Sequence, residues 1–326
     1  MEELIKKKEK SSQKISRRDF ITKSSAAAAA FMIVPRYVLG GPGYTAPSDK
    51  INIAAIGVGG KGRSDIAAVA TENIVALCDV DDVKIFDTIK RAGEWAEEKG
   101  LSENPLTKVP RYKDFREMLD KQKDIDAVTV STPDHFHAVA AITAIKQGKH
   151  AFVQKPLTYS VDEAQKLSAA AKKAGVVTQM GNQGHAGEGI RLIGEWLKDD
   201  AIGEVREVHC WTNRPIWDTG MNRPAEIPSV PPTLDWNQWI GPAPFRPYHP
   251  DYAPWSWRAW CDFGTGALGD MGAHIFDIPY HTLKMDHPTS VFASSSKFNG
   301  ESWPVASTIY YEFPQRGSLP PVKLTW

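Results

Sequence analysis

The chain has 326 residues, 42% of them hydrophobic and 24% charged, enough for two domains with separate cores. Lysine plus arginine equals aspartate plus glutamate at 39 each, so no net field points to nucleic acid or to an anionic membrane. The three cysteines, Cys78, Cys210 and Cys261, have no C-x-x-C spacing, which excludes a zinc ribbon and a complete disulfide framework. They read as packed thiols, with a Cys210–Cys261 bridge as the minor alternative.

Residues 1–49 read as an address and a linker. In "SRRDFITK", Ser16 to Lys23, paired Arg17 and Arg18 precede Phe20 and Lys23, and "SSAAAAAFMIV" follows. That apolar run is too short and too weakly hydrophobic for a stable membrane span, and it suits the core of a signal peptide. The pattern resembles the twin-arginine export signal, which implies the export machinery as a partner and a periplasmic or otherwise exported bacterial location. The bland alternative is a basic start to an alanine-rich helix. "GGPGYTAPSD" then reads as a flexible linker.

Residues 50–180 read as a nucleotide-binding domain. "INIAAIGVGGKGRSDIAAVA" runs from an apolar strand through a glycine turn into a helix. Gly57, Gly59 and Gly62 spell G-x-G-x-x-G, which permits a tight turn, close backbone approach to a pyrophosphate, and close helix–strand packing. Gly60 and Lys61 complete the turn, and the helix start offers free N–H groups to an anion. A second strand, "NIVALCDV", ends in Asp79, whose carboxylate can accept both ribose hydroxyls and repel a 2′-phosphate. That favours NAD over NADP, although Lys61 and Arg63 keep NADP as the minority reading.

Strands and helices continue to alternate through "IDAVTVSTP", "HFHAVAAITAIKQG", "HAFVQKP", "SVDEAQKLSAAAKKAG" and "VVTQM". This alternation predicts an α/β Rossmann domain with a doubly wound parallel sheet, its ligand beyond the carboxyl ends of the strands. Thr132 and Pro133 then lie beside the cofactor, and His137 opens the next helix near it as either a cofactor contact or a plain helix-cap histidine. Lys155, at a strand end, is either a solvent-exposed lysine or a cation able to stabilise a hydroxyl turning into alkoxide as hydride leaves the same carbon.

At "TPDHFHAVAAITAIKQGKHAFVQKPLT" the chain resembles the Gfo/Idh/MocA oxidoreductases, the family of glucose–fructose oxidoreductase and inositol dehydrogenase. The resemblance runs from about residue 50 to the end. Family members carry Glu-Lys-Pro where this chain has Gln154-Lys155-Pro156, so the lysine is kept and the neighbouring charge is lost. The resemblance implies an NAD(P)-dependent enzyme in which Lys155 meets an Asp-x-x-x-His of the second domain, here Asp270 and His274. His274 would be the general base, and Asp270 would orient it or contact the substrate.

Residues 181–326 read as an α+β substrate and oligomerisation domain with an open, mostly antiparallel sheet. The stretch "DMGAHIFDIPYHTLK" is helical in period and aligns Asp270, His274, Asp277 and His281 on one face. Metal ligation is the rival reading of that face, but D-x-x-x-H is no metal signature, and no metal is expected. Asn182, Gln183, His185 and Asp277 are the expected carbohydrate contacts. The Pro- and Trp-rich stretch that follows "EVREVHCWTN" packs a long loop, with one or two tryptophans expected in the pocket. "ASTIYYEFPQRGSLPPVKLTW" reads as two strands, the second cut at Trp326, so an exposed sheet edge, an incomplete domain and a weakened homo-oligomer are expected.

Three functions follow from this reading. The leading one is an exported NAD(P)-dependent oxidoreductase acting on a secondary alcohol of a sugar or cyclitol. The second is a glycoside-cleaving enzyme with tightly bound, self-regenerated NAD. The third is a nucleotide-binding protein without turnover.

Overall fold

Short apolar runs separated by amphipathic segments build a six-stranded parallel sheet in the order β3-β2-β1-β4-β5-β6. The strands are β1 (Asn52–Ile56), β2 (Asn73–Cys78), β3 (Arg111–Tyr112), β4 (Ala127–Val130), β5 (His150–Gln154) and β6 (Thr178–Gly181). The computed structural model describes residues 45–326 except 99 and 102, and Ile51–Trp326 form one compact unit. The twin-arginine motif lies outside the described residues. Among those described, no helix is long and apolar enough to cross a membrane.

Residues of β1 alternate between two cores, as the period of two demands: Ala54 and Ile56 pack with Val128, Ala140 and Ala144, whereas Ala55 packs with Ile66, Leu77 and Ile85. Five helices cover these faces: α1 (Lys61–Ala68), α2 (Asp82–Glu98), α3 (Phe115–Lys121), α4 (His137–Lys146) and α5 (Val161–Ala174). The last begins in a capping box between Ser160 and Glu163 and ends at Gly175 in the left-handed region, so its bounds are set by local chemistry. Sequence periodicity does not reveal β3 or α3, because two residues at a sheet edge and two helical turns carry too few repeats.

A second sheet is ordered β7-β10-β9-β8, from Glu207–His209 (β7), Ser290–Ser295 (β8), Ser307–Phe313 (β9) and Val322–Thr325 (β10). Only β7 and β10 pair in parallel, which gives the expected open, mostly antiparallel sheet. One expectation is corrected. The final strand β10 is no exposed edge but lies between β7 and β9, and β8, exposed along its whole length, forms one of the edges. Helices α6 (Glu188–Lys198), α8 (Gly266–Ile275) and α9 (Asp277–Thr282) accompany this sheet, with Leu197, Leu268, Met271 and Ile275 packed on Phe313, Val322 and Leu324.

The Pro- and Trp-rich stretch has a core of its own around α7 (Trp236–Ile240), where Trp236 stacks on Trp239 at 4.7 Å and Phe263 meets Trp239 edge-on at 4.9 Å. All three cysteines are free thiols, so no Cys210–Cys261 bridge forms.

Candidate active site

The glycine turn brings β1 against β4 where the strand order reverses, the usual place for a ligand in such a sheet. Gly57 has φ of 78°, and a Cβ there would sit 2.7 Å from Ser131 O; a Cβ on Gly62 would sit 1.9 Å from Gly57 O. Only backbone fits there. Helix α1 follows Gly60 with no side-chain cap; the Gly62 N–H turns back to Gly59 O at 2.9 Å, and no capping side chain competes with an anion for the others. Asp79, at the end of β2, accepts from Val58 N at 2.9 Å, Gly59 N at 3.4 Å and Asp81 N at 3.1 Å. Burial pushes its pKa up and these three N–H groups pull it back.

Beyond these strand ends lies a cavity of about 390 Å³. Among the expected cofactor residues, Gly57, Gly59, Gly60, Lys61, Asp79, Thr132, Pro133, His137, Gln154 and Lys155 line it, as does Asp270; Gly62 lies beneath the turn. Thr132 Oγ1 is buried without a partner, a hydroxyl that a bound group can satisfy. The cradle, the open helix start and the Asp79 carboxylate suit a dinucleotide.

His137 is no free contact. It is fully buried with Nδ1 2.7 Å from Pro156 O and Nε2 2.9 Å from Thr132 O, so it ties the segments that follow β4 and β5 together. Gln154 is organised by a residue that sequence reasoning missed, Asp65 on α1. This buried carboxylate accepts from Gln154 Nε2 at 2.9 Å and from Ser131 Oγ at 2.8 Å, and it pairs with Lys61. A carboxylate is thus present beside position 154, supplied from a different element.

Lys155 donates to Asp270 Oδ1 at 2.6 Å and to Asp270 O at 2.8 Å. Lys155 thus meets Asp270 as the resemblance implies; of the two roles expected for Asp270, orienting the imidazole is not seen, since no hydrogen bond joins it to His274 among the described residues. Burial and the Lys155 ammonium push the His274 pKa down, opposed by Asp270 and Asp277, so the imidazole is neutral at pH 7. Between α8 and α9 the backbone of Phe276 stays in the α region, and the hydrogen bonds Phe276 N to Gly272 O and Tyr280 N to Phe276 O carry the helical path from Asp270 and His274 on to Asp277.

The expected carbohydrate contacts do not line the cavity. His185 Nδ1 pairs with Asp277 at 3.0 Å, Gln183 donates to Gly181 O at 2.5 Å, and Asn182 is buried with Oδ1 unpartnered. The outer wall comes instead from the aromatic segment, where Trp239, Trp255 and Trp257 face the cavity, three rings where one or two were expected. Arg258 lines it too, and "WSWRAW" holds the signal that could have found it, a charge placed among tryptophans.

A family model described as an oxidoreductase family, NAD-binding Rossmann fold, matches residues 51–182, and its companion, an oxidoreductase C-terminal alpha/beta domain, matches residues 204–313. The chain belongs to the Gfo/Idh/MocA oxidoreductase family. Its nucleotide domain is therefore an NAD-binding Rossmann domain. A glycosyl hydrolase family 109 protein of Solibacter usitatus is 34% identical over 124 residues, 37% of this chain and 27% of the relative. A levoglucosan dehydrogenase of Pseudarthrobacter phenanthrenivorans is 26% identical over 166 residues, 51% of this chain and 34% of the relative. The matched stretches thus span about a third or less of these two relatives' length. In fold the chain is similar to the WlbA dehydrogenase of Bordetella pertussis, solved with NADH and UDP-GlcNAcA, with a TM-score of 0.57 at 17% identity, over 85% of this chain and 70% of that one.

Proposed function

We propose that the protein is an exported NAD-dependent oxidoreductase acting on a secondary alcohol of a sugar or cyclitol. The observation that carries this reading is Lys155. It sits in the same cavity as the glycine cradle and is ion-paired at 2.6 Å to Asp270 from the second half of the chain. NAD, when bound, supplies the hydride acceptor. Two of the three ammonium N–H groups go to Asp270, which aims the third at a substrate hydroxyl and at the negative charge that grows on its oxygen. His274, kept neutral by burial, takes the hydroxyl proton. Export is supported by the paired arginines at Arg17 and Arg18.

Replacing Lys155 by Met tests this reading. With the best substrate from a panel of hexoses and myo-inositol, kcat/KM falls by about a thousandfold or more, while NAD affinity stays within about tenfold. Turnover that survives the substitution refutes the assignment.

A second reading, redox-neutral glycoside cleavage with a retained cofactor, is favoured by a strap over the cavity. Asp82 N donates to Thr233 O at 3.1 Å and Asp235 N to Val80 O at 2.9 Å, which fixes Pro231 and Leu234 as cavity walls. The family 109 name of the Solibacter relative agrees with it. Glycoside cleavage without net NADH supports this reading, and stoichiometric NADH release argues against it.

A further inference from the structure

We propose that Arg258 forms a carboxylate-reading subsite, so that the substrate is an acidic sugar; this rests on the proposed oxidoreductase site and names its substrate class. Arg258 belongs to the 3₁₀ turn Ser256–Ala259 and shares the cavity wall with Lys155 and Asp270. Its guanidinium lies over three indoles, 4.1 Å from the Trp257 ring, 4.8 Å from Trp255 and 5.9 Å from Trp217. Stacking of this kind fixes the plane of the fork and leaves its edge as the reactive side. The turn itself is locked from behind, since a Cβ on Gly264 would stand 2.5 Å from Arg258 Cα.

The charge on this fork is only partly met. Among the described residues its one direct hydrogen bond runs from Nη1 to Trp255 O at 3.3 Å, and Nε stands 3.7 Å from Asp270 Oδ1. That oxygen is already taken by Lys155 at 2.6 Å, so the nearest carboxylate serves two cations; buried Asp134 adds negative charge without touching the fork, and Arg214 adds positive charge. Burial opposes the charge on Arg258, which sharpens its need for an anion.

Arg246 gives the internal control. It too lies against rings, 5.2 Å from both Tyr252 and Phe263, and is more deeply buried, but it has Asp262 as a direct partner and Glu301 at 3.5 Å. The arginine that only supports the fold has one carboxylate, Asp262, in direct contact and to itself, while Glu301 is held chiefly by Arg223. The arginine facing the cavity shares with the catalytic lysine. A planar monoanion fits the open edge in bidentate fashion, and the nearby Asp270 disfavours a dianionic phosphate.

Matched pairs test the proposal: the methyl glycosides of glucose, galactose and mannose against the corresponding methyl uronides. Each is titrated into NAD-loaded protein by tryptophan fluorescence, with NADH absorbance followed in parallel. The expected result is at least one uronide bound about tenfold or more tighter than its neutral partner. In Arg258→Met the two members of that pair converge, and Arg258→Lys keeps part of the difference; a melting curve of each variant separates loss of fold from loss of charge. Equal or weaker binding by every uronide overturns the proposal, as does an Arg258→Met variant that keeps the preference. Tight uronide binding without NADH leaves the subsite standing and sinks the oxidoreductase reading. NADH formed from neutral sugars alone does the reverse.

Discussion

The two walls of the cavity are built on opposite principles. On the cofactor side, recognition is by backbone: Gly57, Gly59 and Gly62 remove side chains so that main chain can come close, and the apolar residues of β1 serve only to hold the turn. On the other side, between Trp217 and Phe263, the wall is made of rings that pack on each other, with Trp239, Trp255 and Trp257 lining the cavity. A backbone wall is sensitive to atoms added, whereas a ring wall is sensitive to atoms removed. Each substitution below strains one side of that contrast.

The largest effect belongs to the ring wall. Trp239 is buried, stacks on Trp236, touches Phe263 and lies 5.4 Å from the His135 ring, so Trp239→Ala is expected to cost about 3–5 kcal/mol in a urea unfolding experiment. Trp255, 54% exposed on the same wall, should cost under about 1 kcal/mol when truncated. Equal losses at the two positions would mean that the segment is not held by its rings.

Next comes the backbone wall. Gly62→Ala places a methyl on Gly57 O and is expected to weaken NAD binding about a hundredfold by calorimetry. Gly189, within α6 and with nothing near its missing Cβ, should gain up to about 1 kcal/mol of stability as alanine. If Gly62→Ala binds NAD like the parent, the cradle is not the cofactor site.

This contrast also explains what the sequence made legible. Gly57, Gly59, Gly62, Asp79 and Lys155 announce themselves because their signals are local: a turn, a strand end, a fixed spacing. Asp65 does not, because its meaning depends on Gln154, 89 residues away and four strands distant from α1 in chain order only; in space the two touch. Arg258 reads as one more charge in a loop until its rings and its shared carboxylate are seen together. Likewise Asp134, whose Oδ2 receives both Thr265 N–H and Oγ1–H across 131 residues, looks in the sequence like an ordinary helix start. Periodicity identifies elements, and it is silent on which side chains of distant elements will share a proton or a charge.

A subtler break tests how position 154 works. Gln154→Glu would put a second carboxylate beside buried Asp65, with only Lys61 to neutralise both. Two carboxylates in that site cannot both ionise cheaply, so one pKa rises in the folded state. A carboxyl whose folded pKa is raised binds its proton more tightly in the fold, so the penalty is absent at acid pH and grows as pH rises past the carboxylate range. About 2 kcal/mol of lost stability at pH 8, shrinking toward pH 5, is expected from thermal melts. Adding Asp65→Asn should restore most of it. A pH-independent loss would mean that the defect is steric and that Asp65 is not the partner that matters.

The smallest effect falls at His274, one helical turn beyond Asp270 on α8 and outside the residues that line the cavity. Burial is the main force that pushes its pKa down, Lys155 from the backbone side adds to it, and Asp270 and Asp277 push it up. A base held below the ordinary histidine value stays neutral and competent through neutral pH, so kcat/KM should decline only on the acid side of about 6.5. The direction of each contribution can be read without a substrate by following the His274 ring signals in NMR titrations. Lys155→Met should move the midpoint up, and Asp277→Asn should move it down. A midpoint indifferent to Lys155 would separate the histidine from the lysine electrostatically, and the proton would then need another acceptor than His274.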